Sequence, residues 1–310
     1  MRLNKITIEK ETLAEAMQSF LQFKIAQQHS KSTMKDYNLY LNEFLTFSSN
    51  SLEQETLNAE ILTYFSNIPN TSPARYNHRY QYLSAFFNWA VDNHKLEKNP
   101  IVSQKLHKKK DDGNIKPATI EEVKALLKSW DKTTFCGLRN YIITLLILDT
   151  GIRTSELRRL TDAAVDIPNK QIIIDKTICK TSKTRIIYLS DTTAKQLSKY
   201  MKVKPDGFSE LVFPTREGNE LTSEGLAREF ARQCKKIGIK FTPYQLRHSF
   251  ASYFVASGGN VFTLQDLMGH SDIRMTKRYT EIDENQKKQA HNSYSPVNAL
   301  QGASRLVKIG

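Results

Sequence analysis

Five side chains in the second half of the chain could together do chemistry on an anion. They are Arg153 in "TGIRTSEL", Lys180 in "CKTSKTR", Arg247 in "YQLRHSF", and His270 and Tyr279, nine residues apart in "LMGHSDIRMTKRYT". Arginine stays charged, and its planar fork bonds phosphate oxygens in pairs. A tyrosine phenol, with a reference pKa of about 10, becomes a nucleophile where nearby cations favour its anion. Such a set suits a phosphodiester, whose anionic oxygens repel a nucleophile unless fixed positive charge meets the nonbridging oxygens of the pentacovalent transition state. Singly, none of the five compels this reading. An arginine just past a helix-ending glycine is ordinarily a surface residue, a lysine in a β-turn is solvated, an Arg-His pair on an amphipathic helix is salt-bridged and packed, and a lone tyrosine sits at the edge of a core.

The composition names the partner that these cations require. The 310-residue chain carries 45 Lys+Arg against 32 Asp+Glu, a formal charge of +13. Residues 1–100 hold ten of each, so the whole excess lies in the remaining 210 residues, 35 against 22. A polyanion is the natural partner of that second part, with a merely solubilising surface as the plainer alternative. Within the neutral part the acids gather between Glu43 and Glu60, while Lys24, Lys31, Lys35, Arg75 and Arg79 lie outside that cluster and leave room for one basic face. With 39% hydrophobic and 25% charged residues and no low-complexity run, the chain reads as a globular protein long enough for two domains. Its longest apolar stretch, "YIITLLILDTGI", is interrupted by Asp149 and too short to span a bilayer. "MRLNKITIEKETLAEAMQSF" lacks an apolar h-region, so the sequence predicts a cytoplasmic protein with no membrane partner. Cys136, Cys179 and Cys234 are too scattered for a disulfide framework or a zinc site and read as buried or incidental thiols.

The elements that must position these residues fall into two groups. From Thr12 to about Val91 the pattern is helical. Ser32 can cap a helix in which Tyr37, Leu41 and Phe44 recur on one face, and Tyr76, Tyr80, Leu83 and Phe87 repeat the stripe. About four helices are expected. "KLHKKKDDGNIKPATIEEV", charged and without apolar periodicity, predicts an interdomain linker in which Lys108 to Lys110 either form a solvated hinge or track a phosphate backbone. "TIEEVKALLKSW" and "FCGLRNYIITLLILDTG" predict helices, the second ending at a Gly151 C-cap. "KQIIIDKTICKTSKTRIIYLS" holds β-branched runs at 171–174 and 185–189 around a polar turn, predicting a small antiparallel hairpin or three-stranded sheet. "TSEGLAREFARQCKKIGI" returns to helix with Leu226, Phe230, Cys234 and Ile237 on one face, and "PYQLRHSFASYFVASGG" forms another, ended by Gly258 and Gly259. The expected fold is mainly α with a small antiparallel β-sheet. The expected boundaries are a helical DNA-binding domain over 1–104, a linker over 105–117, a mixed α/β catalytic domain over 118–282 and a C-terminal tail over 283–310.

Taken in order, "TGIRTSELRRL", "CKTSKTR" with "IIYL", "TPYQLRHSFASYF" and "LMGHSDIRMTKRYT" resemble the signature boxes of the tyrosine recombinases, the phage integrase and Xer family. Upstream, "STMKDYNLYLNEFLTF" and "RYQYLSAFFNWAVDNHKLEKNPI" look like that family's core-binding domain, so the resemblance covers roughly residues 12–280. It implies a C-shaped clamp on duplex DNA that cleaves and rejoins strands at a specific site through a 3′-phosphotyrosyl intermediate. Arg153 and Arg247 would bracket the phosphate and Tyr279 would attack it. Lys180, with Lys183 as the fallback, would protonate the leaving 5′ oxygen. His270 would bond the phosphate or position the nucleophile. Glu156 would buttress Arg153 or cap its helix, and His248 is expected to pack within the fold.

One position departs from the pattern. Three residues before Arg247, where the family usually has His or Lys, this chain has Tyr244, whose hydroxyl can donate to phosphate but adds no charge. The resemblance further implies four protomers on two sites, a Holliday-junction intermediate, and a tail whose Val297, Leu300, Val307 and Ile309 could dock on a neighbouring subunit. No metal, ATP or other cofactor is required, and the chain has no P-loop or His-rich tract. With about eleven residues before the first helix, it is expected to act at a simple site. Two alternatives stand beside this reading: a catalytically silent DNA-binding relative and a strand-breaking enzyme of the topoisomerase IB type.

Overall fold

A computed structural model describes residues 11–68, 71–110, 116–179, 184–204 and 207–269, together with Asp272, Thr276 and Lys288. The chain divides into two units, Met1–Gly113 and Asn114–Gly310. In the first, four helices follow one another: α1 (Leu13–Ala26), α2 (Lys31–Phe47), α3 (Gln54–Asn67) and α4 (Pro73–Asp92), with a short α5 (Pro100–Ser103). Thr12 and Glu15 form a reciprocal capping box that starts α1. The cap of α2 is Ser30, whose hydroxyl accepts from the Thr33 N–H at 3.2 Å, and not Ser32 as the sequence suggested. The reason is local: Ser30 has extended backbone and Lys31 already continues the helix, so Ser32 falls inside the first turn. The core is largely aromatic. Phe20 meets Tyr37 and Phe86 edge-on, with ring centroids 5.3 and 5.6 Å apart, and Phe44 meets Phe87 at 5.9 Å. Tyr37, Leu41, Phe44, Tyr76, Leu83 and Phe87 are buried as their spacing predicts.

The segment expected to be a linker starts as part of this unit. Asn77 of α4 accepts from the Lys109 N–H at 2.8 Å and donates to the Lys109 carbonyl at 2.9 Å, pairing with both backbone groups at once. The Lys109 and Lys108 ammonium groups lie over the Tyr76 and Tyr80 rings, 4.5 and 5.9 Å from the centroids. The stretch up to Lys109 is therefore tied to α4, with Lys108 and Lys109 seated on aromatic faces.

The second unit is built around α7 (Phe135–Thr150), whose Ile142, Ile143, Leu146 and Ile147 are fully buried. A helix apolar on several faces must be covered on several sides. Here α9 (Asp191–Val203), α11 (Pro243–Ala256) and α6 (Ile120–Ser129) pack on it. A three-stranded antiparallel sheet, β1 (Val165–Asp166), β2 (Gln171–Ile174) and β3 (Arg185–Tyr188), has β2 in the centre. Ile172 pairs with Ile187 and Ile174 with Arg185, so Ile172, Ile174 and Ile187 point into the core while Ile173, Ile186 and Tyr188 face outward. The amphipathic α10 (Ser223–Lys236) buries Leu226, Phe230 and Cys234, and α12 (Val261–Met268) buries Leu264 and Met268. α8 (Thr154–Leu157) is a single turn after α7. The fold is thus mainly α with a small antiparallel sheet. Among the described residues, no helix is long and apolar enough to cross a membrane.

Candidate active site

Arg153 owes its position to the end of α7. Gly151 caps that helix in the left-handed conformation, φ 62°, and turns the chain so that Arg153 becomes the N-cap of α8. A side chain at Gly151 is excluded twice over, by that φ and by Phe250, whose ring would lie 2.4 Å from an added Cβ. Three residues on, Glu156 is completely buried. Its carboxylate accepts from the Arg153 backbone N–H at 3.2 Å and from Arg153 Nη1 at 3.1 Å. It both caps the turn and buttresses the arginine.

A third group completes this cluster. Arg185, the first residue of β3, donates Nη1 to Glu156 Oε1 at 3.0 Å and Nη2 to Oε2 at 2.6 Å, a bidentate pair with the geometry the guanidinium fork favours. Burial pushes the Glu156 pKa up, but hydrogen bonding and charge from Arg185, followed by Arg153, outweigh it. The net pKa falls below the usual carboxylate range. Arg185 Nη1 also reaches the Sγ of the buried Cys179 at 3.5 Å. On the other side of the turn, Arg159 Nη2 donates to the Ile178 carbonyl at 3.1 Å. Both roots of the segment that contains Lys180 are thereby fastened to the α8 turn.

Arg247 is carried by α11 and is 6% exposed. It donates Nη1 to the Gly151 carbonyl and Nη2 to the Met268 carbonyl at 2.9 Å. Arg153 Nη2 donates to the next carbonyl, that of Gly269, at 2.5 Å. The last carbonyls of a helix have no intrahelical partner and carry its negative dipole end, so they attract cations. The end of α12 is therefore where Arg153 and Arg247 meet, on consecutive residues. Gly269 makes the approach possible: it has φ 63°, and an added Cβ would lie 3.1 Å from Arg153 Nη1 and from Arg185 Nε and Cζ. Three guanidiniums thus gather beside Gly269, the residue before His270, with one carboxylate among them.

Of the six residues named from the sequence, the structure brings Arg153 and Arg247 together and places Tyr244 on the same helix as Arg247. Tyr244 is 53% exposed in the first turn of α11, and its ring lies edge-on to His248 with centroids 4.6 Å apart. His248 is 4% exposed and packs within the fold as expected. Lys180, Lys183, His270 and Tyr279 lie outside the described residues. Sequence reasoning missed Arg185 and Gly269. Arg185 stood in the quoted run "CKTSKTR", but nothing local separates it from its basic neighbours. The signal for Gly269 was stronger, a glycine directly after a short apolar helical stretch.

The arrangement can hold an oxyanion. A phosphate oxygen is a stronger acceptor than a neutral carbonyl, so guanidiniums resting on the α12 carbonyls can exchange those bonds for an anionic partner. Comparison with known proteins points the same way. Residues 118–286 match the Phage integrase family. The tyrosine recombinase XerD of Listeria monocytogenes serovar 1/2a is 28% identical over 299 residues, covering 91% of this chain and 99% of that protein. XerD of Staphylococcus aureus is 29% identical over 226 residues, covering 69% of this chain and 74% of its own. Among solved structures, a Tn1549 transposon integrase in complex with circular intermediate DNA aligns with a TM-score of 0.76 at 20% identity, covering 92% of this chain and 100% of that one. A lambda integrase tetramer bound to a Holliday junction gives 0.72 at 16%, covering 90% of this chain and 82% of that one. At these identities the structural likeness is one of fold.

Proposed function

The chain belongs to the phage integrase family, the tyrosine recombinases, and on that footing we propose that it is a site-specific DNA recombinase that cleaves and rejoins duplex DNA through a phosphotyrosyl bond. Tyr279, its proton given up to solvent as the surrounding cations favour the phenolate, attacks the scissile phosphorus through Oη, and the bond to the 5′ oxygen breaks. The departing oxygen takes its proton from Lys180, and the phosphoester persists as a 3′-phosphotyrosyl link until a 5′ hydroxyl reverses the step. Arg153 and Arg247 hold the nonbridging oxygens as negative charge grows on them. His270 bonds the same phosphate, and Tyr244 donates a neutral hydrogen bond. In this reading residues 1–104 and 118–282 both bind the duplex, four copies act on two sites, and the tail over 283–310 is exchanged between subunits. The enzyme works in the cytoplasm, where the chromosome is accessible.

The observation that carries this reading is the meeting of Arg153 and Arg247 on the Met268 and Gly269 carbonyls, from two distant helices, at the start of the "GH" box. It is tested with a duplex selected from a random pool by binding and then nicked beside the cleavage position, so that the released strand diffuses away and protein stays covalently attached. Wild type is expected to form this complex and Tyr279→Phe is not. Attachment by Tyr279→Phe would move the nucleophile to another phenol, Tyr244 first. Binding without attachment by wild type would leave a DNA-binding relative, and exchange products from two sites would separate recombination from simple strand passage.

A further inference from the structure

Arg153 has a problem that its own pair does not solve. Glu156, which orients it, is a full negative charge buried beside the guanidinium, and a one-to-one pair would cancel the positive charge that a phosphate must meet. Glu156 is nevertheless tied more closely to Arg185 than to Arg153. Arg185 takes both carboxylate oxygens, at 3.0 and 2.6 Å, whereas Arg153 reaches Oε1 alone through its side chain, at 3.1 Å. Two guanidiniums against one carboxylate leave one net positive charge. The more weakly paired of the two is Arg153, the arginine whose other Nη reaches the end of α12. Arg185 Nε is buried without a hydrogen-bond partner among the described residues and lies beside Gly269. A buried N–H left unbonded is costly, so the side chain is kept there by what its two Nη groups do for Glu156.

We propose that Arg185 is a positioning residue for strand cleavage: it absorbs the charge of Glu156, so that Arg153 is held by the carboxylate without being neutralised by it, and it fixes the root of the segment bearing Lys180 to the same turn. The role rests on the recombinase reading above. It acts through Glu156 and Arg153 and requires no contact between Arg185 and DNA.

The test uses the nicked duplex that traps wild-type protein, with the cleavage rate measured at saturating DNA and binding measured separately. Arg185→Gln brings the three-residue cluster to zero net charge. It should slow cleavage by about 100-fold, as loss of one transition-state charge does, with DNA affinity changed by no more than about 3-fold because the salt-dependent phosphate contacts remain. Arg185→Lys, which restores the charge without the fork, should recover to within about 10-fold of wild type. The double variant Arg185→Gln/Glu156→Gln returns the cluster to one net positive charge and replaces the ion pair with neutral hydrogen-bonding groups. It should cleave at least about 10-fold faster than Arg185→Gln alone, the coupling expected of contacting charges. A scissile methylphosphonate, which has lost the anionic oxygen, should shrink the Arg185→Gln deficit to a few-fold, an effect that a merely structural role could not produce. The proposal is overturned if Arg185→Gln cleaves like wild type, if the double variant is as slow as the single one, or if the deficit is the same on charged and neutral phosphate. A wild-type protein that is not trapped at all would instead remove the recombinase reading, and this role with it. Thermal melts of each variant identify any that fail to fold, and Arg185→Lys, which keeps a cation opposite Glu156, together with the comparison of charged and neutral scissile phosphate, decides the question in that case.

Discussion

Glu43 in α2 and Glu156 in α8 each meet an arginine from another element, and the two meetings serve different ends. Arg79 of α4 places Nε and Nη2 on one oxygen of Glu43, at 2.8 and 2.6 Å. Burial lowers the Arg79 pKa, but the hydrogen bond and charge of Glu43 more than offset it, so it lies above the ordinary value. The pair is one cation to one anion, braces α2 against α4, and leaves no charge to spare. Around Glu156 there are two cations to one anion, and the surplus faces the end of α12. The same residue types therefore make a brace in the first unit, where acid and base balance, and in the second, where the chain concentrates its basic excess, the cationic surplus that the proposed function assigns to a phosphate. Stoichiometry around the carboxylate separates the two outcomes.

That contrast can be broken most sharply at Glu156. Glu156→Ala leaves the largely buried Arg153 and Arg185 without their anion and should cost the second unit about 3 kcal/mol, the low end for breaking a buried pair, read from chemical denaturation. The acid limb carries the same information. A carboxyl whose folded pKa is depressed contributes stability that is fully present above its unfolded value of about 4.3 and is lost as the pH falls through the lower folded value. Melting temperature should therefore be flat from neutral pH to about 4.3 and decline below it, and Glu156→Gln should flatten part of that decline.

Gly269→Ala comes next. It forces a left-handed φ on alanine, which costs about 1–2 kcal/mol, and pushes a methyl against Arg153 and Arg185. The expected result is a measurable loss of stability and a cleavage rate about 10-fold lower, since displacing a positioned group by a fraction of an ångström already costs that much. Cleavage at the wild-type rate would mean that the three guanidiniums need not gather beside Gly269. Glu43→Gln should do the opposite of a site change: about 1 kcal/mol of stability, the upper end for a pair with one partner still partly exposed, and no change in cleavage at saturating DNA. A slower cleavage step in Glu43→Gln would erase the distinction between brace and site. Smallest of all is Tyr244→Phe, which removes one neutral hydrogen bond worth about 0.5–1.5 kcal/mol. It should slow cleavage by no more than about 10-fold and leave the melting temperature unchanged, because the ring is half exposed.

Much of this was legible beforehand. The helical stripes of α2 and α4, the Gly151 cap, the β-branched strands on either side of a polar turn and the amphipathic α10 all follow from periods of 3.6 and 2 and from cap chemistry, which act over a few residues. The capping role of Glu156 could be named for the same reason, whereas Arg153 and Arg247 could be named because the boxes that carry them resemble, in order, those of a known family. The α2 cap was misplaced by two residues because Ser30 and Ser32 are equivalent in sequence, and only the extended backbone at Ser30 tells them apart. The expected linker gave no sign of lying on α4, because Asn77 and the Tyr76 and Tyr80 rings that hold Lys108 and Lys109 belong to a different stretch of chain.

The sequence by itself determined the types of group available for phosphate chemistry, the helices and strands that carry them, and the basic excess of the second unit. All of these are properties of single residues or of short periodic runs. Only the tertiary structure decided that Arg153 and Arg247 converge on the last carbonyls of α12, and that Arg185, one basic residue among several in its turn, lies opposite a buried carboxylate. Those pairings depend on how α7, α11 and the sheet pack, and packing energy is shared among buried side chains far apart in sequence. A guanidinium looks the same in every local window, and the buried anion it faces gives it a role.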